Sequence, residues 1–264
     1  MQKLAKVVLD VPVNKSFDYT ITDEMAKLGS RVSVPFGRSK RIGVIIDLLP
    51  YYEDKQSYKV KNIDRLIDYD PIISSEILKT CKWASSYYHY PIGQVIFSAI
   101  TPHYRKENKE PRKKIEIARK VNTEKLLLNN EQREVSKCLY KDIHKFQVNV
   151  IRGVTGSGKT ELYIDFSKQI LKENGQILVM VPEINLIPQT IERFSKYIGF
   201  EPKQYHSNLT AVQKYQVWKE CSTNNKLIVI GTRSSIFLPF HNLSLIVVDE
   251  EHDSSYKQNE SFRY

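Results

Sequence analysis

Cysteine is scarce in this chain of 264 residues. Its three cysteines, Cys81, Cys138 and Cys221, are far apart and form no C-x-x-C pair. That excludes a disulfide framework and a zinc site built from local pairs, and it fits reduced thiols in a cytoplasmic protein. Long apolar runs are missing as well. Hydrophobic residues make up 41% of the chain, yet no run approaches the roughly 18 residues that a membrane helix needs. The opening residues, Met1 to Asp10, hold too short an apolar stretch for a signal peptide. Neither an internal repeat nor a low-complexity tract is present. Acidic residues are outnumbered, 30 against 40 Lys and Arg, for a net charge of +10. The imbalance is local: residues 1–128 hold 23 basic and 15 acidic side chains, net +8, whereas residues 129–264 hold 17 and 15, net +2. Positive charge gathered in one half points to a polyanion there, and nucleic acid is the usual one.

Two motifs stand out against this background. Gly153-Val154-Thr155-Gly156-Ser157-Gly158-Lys159-Thr160 fits G-x-x-x-x-G-K-[ST], the loop that wraps a nucleoside triphosphate. A β-rich run (Val148 to Ile151) leads in and a helical pattern (Leu162, Phe166, Ile170) leads out. Glycines let backbone N–H groups close around phosphates, and the helix N-terminus adds partial positive charge. Lys159 is placed to reach the β/γ-phosphates, and the Thr160 hydroxyl to hold Mg²⁺. In the second motif, the apolar run Leu245 to Val248 delivers Asp249-Glu250-Glu251-His252 at its C-terminal end, where open α/β sheets put their ligands. Asp249 is the expected partner of Mg²⁺, and Glu250 the group that polarises the attacking water.

Between and before the motifs, hydrophobic period sets the elements. Runs at 4–11, 17–21, 31–36, 41–49 and 60–67, parted by turn residues, read as strands. Ile73, Ile77, Cys81, Ala84 and Tyr88 fall at helical spacing. The cluster from Trp83 through Tyr87, Tyr88, His89, Tyr90, Pro91 and Ile92 to Gly93 ends that helix. It reads as aromatic core packing, with base stacking the other reading. Residues 105–125 are charged, lack an apolar pattern and predict an exposed basic linker. From Leu126 strands and helices alternate: strands at 147–152, 176–182, 226–231 and 244–249, and helices at 130–143, 159–173, 185–198 and 210–222. That is an α/β domain over 126–264 with a largely parallel sheet, preceded by a small β-rich domain over 1–104.

These residues together resemble the PriA family of bacterial replication-restart helicases (primosomal protein N′), which are superfamily 2 motors. The acid box Asp249 to His252 and Glu161-Leu162-Tyr163 after the glycine-rich loop resemble its motor motifs. So do His206-Ser207 with Leu209, and Gly231-Thr232-Arg233-Ser234. Val181-Pro182-Glu183-Ile184 with Pro188-Gln189-Thr190 resembles its segment facing single-stranded DNA. Asp253-Ser254-Ser255-Tyr256-Lys257-Gln258 with Arg263-Tyr264 resembles its aromatic loop that couples DNA contact to hydrolysis. Leu128-Asn129-Asn130-Glu131-Gln132 is similar to its adenine-reading element. Ser16-Phe17-Asp18-Tyr19, Val34-Pro35-Phe36-Gly37 and Trp83 through Gly93 are similar to its 3′-DNA-binding domain.

The resemblance implies a β-rich 3′-DNA-binding domain followed by an incomplete RecA-like helicase lobe. It implies a pocket for the 3′ end of the leading strand made by Phe17, Asp18, Tyr19, Gly37 and Lys61. An aromatic face would stack the terminal base, Asp18 would accept from the 3′-OH, and Lys61 would neutralise phosphate. Arg233, Tyr256 and Lys257 would contact DNA, and Gln132 with residues 153–160 would hold ATP with Mg²⁺. The implied activity is ATP-driven 3′→5′ unwinding at stalled forks, with primosome assembly and reloading of the replicative helicase. The implied partners are DNA forks, single strands, primosome proteins, single-stranded DNA-binding protein and the replicative helicase, in the cytoplasm and without a membrane. Two departures bear on this. About 25 residues separate Pro102 from Leu126, too few for the family's winged-helix domain. The chain also stops at Tyr264, inside the first motor lobe and before the family's second lobe, arginine finger, zinc-binding cysteines and C-terminal domain. It is therefore expected to be part of a longer helicase and, alone, neither to hydrolyse ATP appreciably nor to unwind DNA. Two other readings are open: another superfamily 2 DNA translocase, or a fork-binding module that uses nucleotide only as a ligand.

Overall fold

The computed structural model describes residues 2–52, 58–107, 123–141, 143–154 and 156–257. Its first part is a six-stranded sheet of β1 (Lys3–Leu9), β2 (Phe17–Ile21), β3 (Arg31–Phe36), β4 (Ser39–Pro50), β5 (Lys61–Asn62) and β6 (Arg65–Leu66), in the order β5-β2-β1-β4-β3-β6. Alternation along β1 explains its central place. Ala5, Val7 and Leu9 enter one core with Tyr19, Val32, Val34 and Ile45. Val8 points the other way, into a second core with α1 (Ser75–Tyr87) and α2 (Ile92–Ala99). The run expected as one strand at 60–67 is two. Ile63 N–H donates to Thr20 O and Asp64 N–H to Ser33 O, on opposite edges of the sheet, so the chain crosses there and closes the sheet into a small barrel.

Helix α1 starts at a side-chain cap from Ser74 to Ile77 N–H and buries Ile77, Leu78, Cys81 and Ala84. That stripe leaves Trp83, Tyr87 and Tyr88 outside. They are 58%, 64% and 58% exposed, with Trp83 stacked on Tyr87 at 5.1 Å and Tyr87 edge-on to Tyr88 at 4.9 Å. Core packing, expected for the whole cluster, is therefore wrong for these three rings. Residues four apart on a helix pack on each other whether or not that flank is buried. Tyr90 and Ile92 do pack against the core.

The chain is pinned where the expected linker begins. Pro102–Arg105 form a 3-10 turn, and Tyr104 packs at 5.5 Å from Tyr215 and 6.0 Å from Trp218 on α6 (Ala211–Thr223). Buried Arg31 grips both oxygens of Asp68 and also donates to the Tyr104 and Lys106 carbonyls. At the other end Glu124 N–H donates to Lys196 O. Residues 108–122 lie outside the described residues.

The second part is the expected RecA-like α/β lobe: α3 (Asn130–Tyr140), α4 (Lys159–Lys172), β7 (Gln176–Met180), α5 (Leu186–Ile198), β8 (Lys203–Tyr205), α6, β9 (Leu227–Gly231) and β10 (Leu243–Val248). The sheet runs β10-β7-β9-β8, all parallel, and β7 and β9 are wholly buried. One expected strand is not formed. Val148, Val150 and Ile151 give residues 147–152 the look of a strand, but the run pairs with no strand among the described residues, and Val148 and Val150 are exposed. A strand exists only through its ladder, and β10, whose Leu243, Ile246 and Val248 are also exposed, is an edge to which this run does not bond.

Candidate functional site

Helix α4 leaves the glycine-rich loop at Gly158, its N-cap, whose φ of 82° suits glycine. The first turn of such a helix has N–H groups without helical partners, which is what draws a phosphate. Lys159 Nζ donates to the carbonyls of Gly153 at 2.9 Å and Val154 at 3.3 Å. Moving to phosphate oxygens exchanges neutral acceptors for charged ones, a favourable trade. Gly153, Val154, Gly156 and Ser157 are exposed along the loop; Thr155 lies outside the described residues.

Gln132, expected to read adenine, bridges α3 and the glycine-rich loop. Its Oε1 accepts from Asn129 N–H at 2.9 Å in the capping box of α3, and its Nε2 donates to Ser157 O and Gly158 O, each at 3.3 Å. The side chain braces the loop against α3, and its Nε2 faces the loop carbonyls.

The acid box reaches the same helix. Asp249 N–H donates to Met180 O at 2.9 Å, which carries the β10 register past the strand end. One turn into α4, the Tyr163 hydroxyl donates to Asp249 Oδ1 at 3.4 Å, tying the loop helix to the box. Burial, with the Asp249 charge second, pushes the Tyr163 phenol up to about 12, so it stays a donor at neutral pH. Tyr256, also raised by burial and then by Asp249, donates to the Asp249 carbonyl at 2.9 Å. Glu250 sits at φ 48°, the kind of strained backbone that gathers at functional sites; Glu251 and His252 are exposed in the same turn. Thr160 Oγ1 accepts from Arg193 Nη1 at 3.3 Å, and Arg193 Nη2 pairs with Glu161 at 2.7 Å. Arg233 Nη1 donates to Lys257 O at 3.5 Å. Gln258, Arg263 and Tyr264 lie outside the described residues.

Hard oxygen donors on Thr160 and Asp249 suit magnesium, which takes one or two protein oxygens and fills its octahedron with phosphate and water. No cluster of three or more His, Cys, Asp or Glu able to hold a metal occurs among the described residues.

The five residues expected for a 3′-end pocket, Phe17, Asp18, Tyr19, Gly37 and Lys61, all line one cleft of about 360 Å³. β2 contributes the first three. Gly37 turns the β3–β4 hairpin at φ 59° with nothing within 4 Å of a Cβ, so backbone conformation alone demands glycine. β5 sets Lys61 opposite Tyr19. Phe17 stands edge-on to Phe36 at 5.1 Å with Lys15 over its face. Tyr19 is only 4% exposed and donates to Pro35 O, so it braces the wall and offers no open ring face. Asp18 is held on both oxygens, by Lys6 Nζ at 3.1 Å and by the Tyr58 hydroxyl at 2.6 Å. Sequence reading missed both partners. Period-two pairing of β1 with β2 could have found Lys6, which lies opposite Asp18; nothing local signals Tyr58.

Residues 6–101 match the 3′DNA-binding domain (3′BD) family of PriA, and residues 129–264 the DEAD/DEAH box helicase family. Replication restart protein PriA of Haemophilus influenzae is 32% identical over 336 positions, covering 99% of this chain and 46% of that protein. Its counterpart in Rickettsia prowazekii is 37% identical over 265 positions, covering 99% and 39%. The one in Bacillus subtilis is 43% identical over 146 positions, covering 54% and 18%. The chain thus spans less than half the length of these relatives. The Haemophilus alignment is longer than the chain itself, so that protein carries segments without a counterpart here. No helix among the described residues is long and apolar enough to cross a membrane. A PriA-type 3′ DNA-binding domain directly before a helicase domain, in a chain that aligns with replication restart proteins over 99% of its residues, places it: the chain belongs to the DEAD/DEAH box helicases, in the PriA family.

Proposed function

We propose that this chain supplies the fork-reading and ATP-binding portion of a 3′→5′ DNA helicase that engages stalled or abandoned replication forks. The convergence of Phe17, Asp18, Tyr19, Gly37 and Lys61 on one cleft carries this reading. A 3′ terminus differs from an internal nucleotide by a hydroxyl where the phosphodiester would continue. Asp18 accepts a hydrogen bond from that hydroxyl and repels a phosphate in its place. Phe17 and Phe36 offer apolar surface to the terminal base, and Lys61 and Lys15 meet the preceding phosphates.

In the motor part, Mg²⁺ when bound draws charge from the triphosphate, and Thr160 and Asp249 are the residues that would hold it. Lys159 neutralises the β/γ-phosphates, and Glu250 takes up the proton side of the attacking water. Arg193 on α5 follows the segment that resembles the single-strand-facing one and bonds directly to Thr160 and Glu161. A shift of α5 on DNA contact therefore reaches a magnesium ligand in one step. Remodelled forks would then receive primosome proteins and the replicative helicase, with single-stranded DNA-binding protein nearby, in the cytoplasm. These partners are proposed from the relatives' role in replication restart.

The test is equilibrium binding to two forks that differ only in whether a leading-strand 3′-OH lies at the junction. The fork with the 3′-OH should bind more tightly, and Asp18→Ala should erase the difference. Equal affinity for both forks would favour a helicase-like translocase without end recognition.

A further inference from the structure

We propose that Tyr58 is a specificity-determining residue of the 3′-end pocket, acting through Asp18 as a positioning residue for the acceptor of the terminal hydroxyl. This rests on the reading of the cleft as a 3′-end pocket. An aspartate carboxylate turns easily about its last torsion. Here each oxygen has its own donor: Lys6 Nζ on Oδ1 at 3.1 Å and the Tyr58 hydroxyl on Oδ2 at 2.6 Å. Lys6 comes from β1, where the ladder sets it opposite Asp18, and Tyr58 from the run leading into β5. Two donors on separate elements fix the plane of the carboxylate before any nucleotide arrives. Each oxygen keeps a further lone pair. The Asp18 side chain is only 17% exposed, so a hydroxyl entering the cleft meets an oriented, thinly hydrated acceptor.

The two donors divide the work. Lys6 also balances the Asp18 charge, which would otherwise repel the phosphates that arrive with the terminus. The phenol adds orientation and no charge. Its bond to Asp18 is the first cause of a raised phenol pKa, which keeps the proton in place as donor. The Tyr58 ring is 55% exposed, so removing its hydroxyl opens no buried hole. Tyr58→Phe therefore deletes one bond and little else.

The experiment is fluorescence anisotropy of the full chain with two single-stranded oligonucleotides, one ending in a 3′-hydroxyl and one in a 3′-deoxy terminus. Wild type should prefer the hydroxyl, and Asp18→Asn should abolish the preference. Tyr58→Phe should cut it about 2–10-fold, no more than an ordinary hydrogen bond is worth, because Asp18 keeps its direct contact with the hydroxyl, and affinity for the 3′-deoxy end should fall by less than affinity for the hydroxyl end. A Tyr58→Phe chain that keeps the full preference, weakens both ends alike or binds the hydroxyl end more tightly overturns the positioning role. A wild type indifferent to the two ends overturns the pocket reading itself, and the role of Tyr58 with it.

Discussion

Alanine at Gly158 should damage nucleotide binding more than alanine at Gly156, although both glycines lie in the same loop at nearly the same φ, 82° and 80°. The left-handed backbone costs a non-glycine residue about 1–2 kcal/mol at either position. The difference lies in the surroundings. A Cβ at Gly156 meets nothing within 4 Å, whereas one at Gly158 lands 2.1 Å from Gln132 Nε2 and 3.1 Å from Glu161 Oε2. Gln132 is not free to yield, because its Oε1 holds the Asn129 N–H of the capping box at 2.9 Å. Breaking that cap costs roughly 0.5–2 kcal/mol more. Gly156→Ala should then weaken ATP binding about 5–30-fold, and Gly158→Ala about 10–1,000-fold. Calorimetric titration with ATP and Mg²⁺ reads both. Thermal stability should fall as well, and further for Gly158→Ala, which also loses the cap of α3. Gly156→Ala proving the worse of the two, or Gly158→Ala binding ATP like wild type, would refute the brace between Gln132 and the loop.

Lys159→Ala should weaken ATP binding by about 10–150-fold in the same titration, the value of one charge-assisted contact with phosphate; unchanged affinity would remove Lys159 from the site. His206 gives a pH prediction. Burial first, and then the Lys214 charge, hold its imidazole below the ordinary 6.5. The unfolded chain thus takes up the proton first as pH falls, and the stability present above 6.5 is lost progressively below it, down through the folded value. Urea midpoints at pH 7.5 and 5.5 should differ more for wild type than for His206→Phe, and an equally steep fall in the variant contradicts this.

The chemistry was legible where it depends on spacing along the chain. The loop from Gly153 to Thr160 and the box from Asp249 to His252 announce themselves because backbone geometry forces glycine and the metal forces acid at fixed offsets. The barrel strands were legible by alternation, and the wholly buried β7 and β9 by their continuous apolar runs. What failed depends on contacts distant in sequence. Residues 147–152 have strand composition but no ladder partner among the described residues. Trp83, Tyr87 and Tyr88 were read as core for their aromatic type, and of the three only Tyr88 shares the spacing of Ile77, Cys81 and Ala84, yet α1 fills its inner stripe with the smaller side chains. Gln132 was read for its type, while its cap to Asn129 and its reach to Gly158 are visible only in space. Tyr58 meets Asp18 across 40 positions of sequence, and no local pattern encodes such a pair.

The most direct test of the account is a structure of the chain with a short oligonucleotide that ends in a 3′-hydroxyl. The terminal nucleoside should lie in the cleft between Phe17–Tyr19 and Tyr58–Lys61. Its 3′-oxygen should fall within hydrogen-bond distance of Asp18, with Lys6 and Tyr58 still on the carboxylate. A strand bound with its 3′ end outside this cleft, or with an internal nucleotide seated in it, would contradict the account.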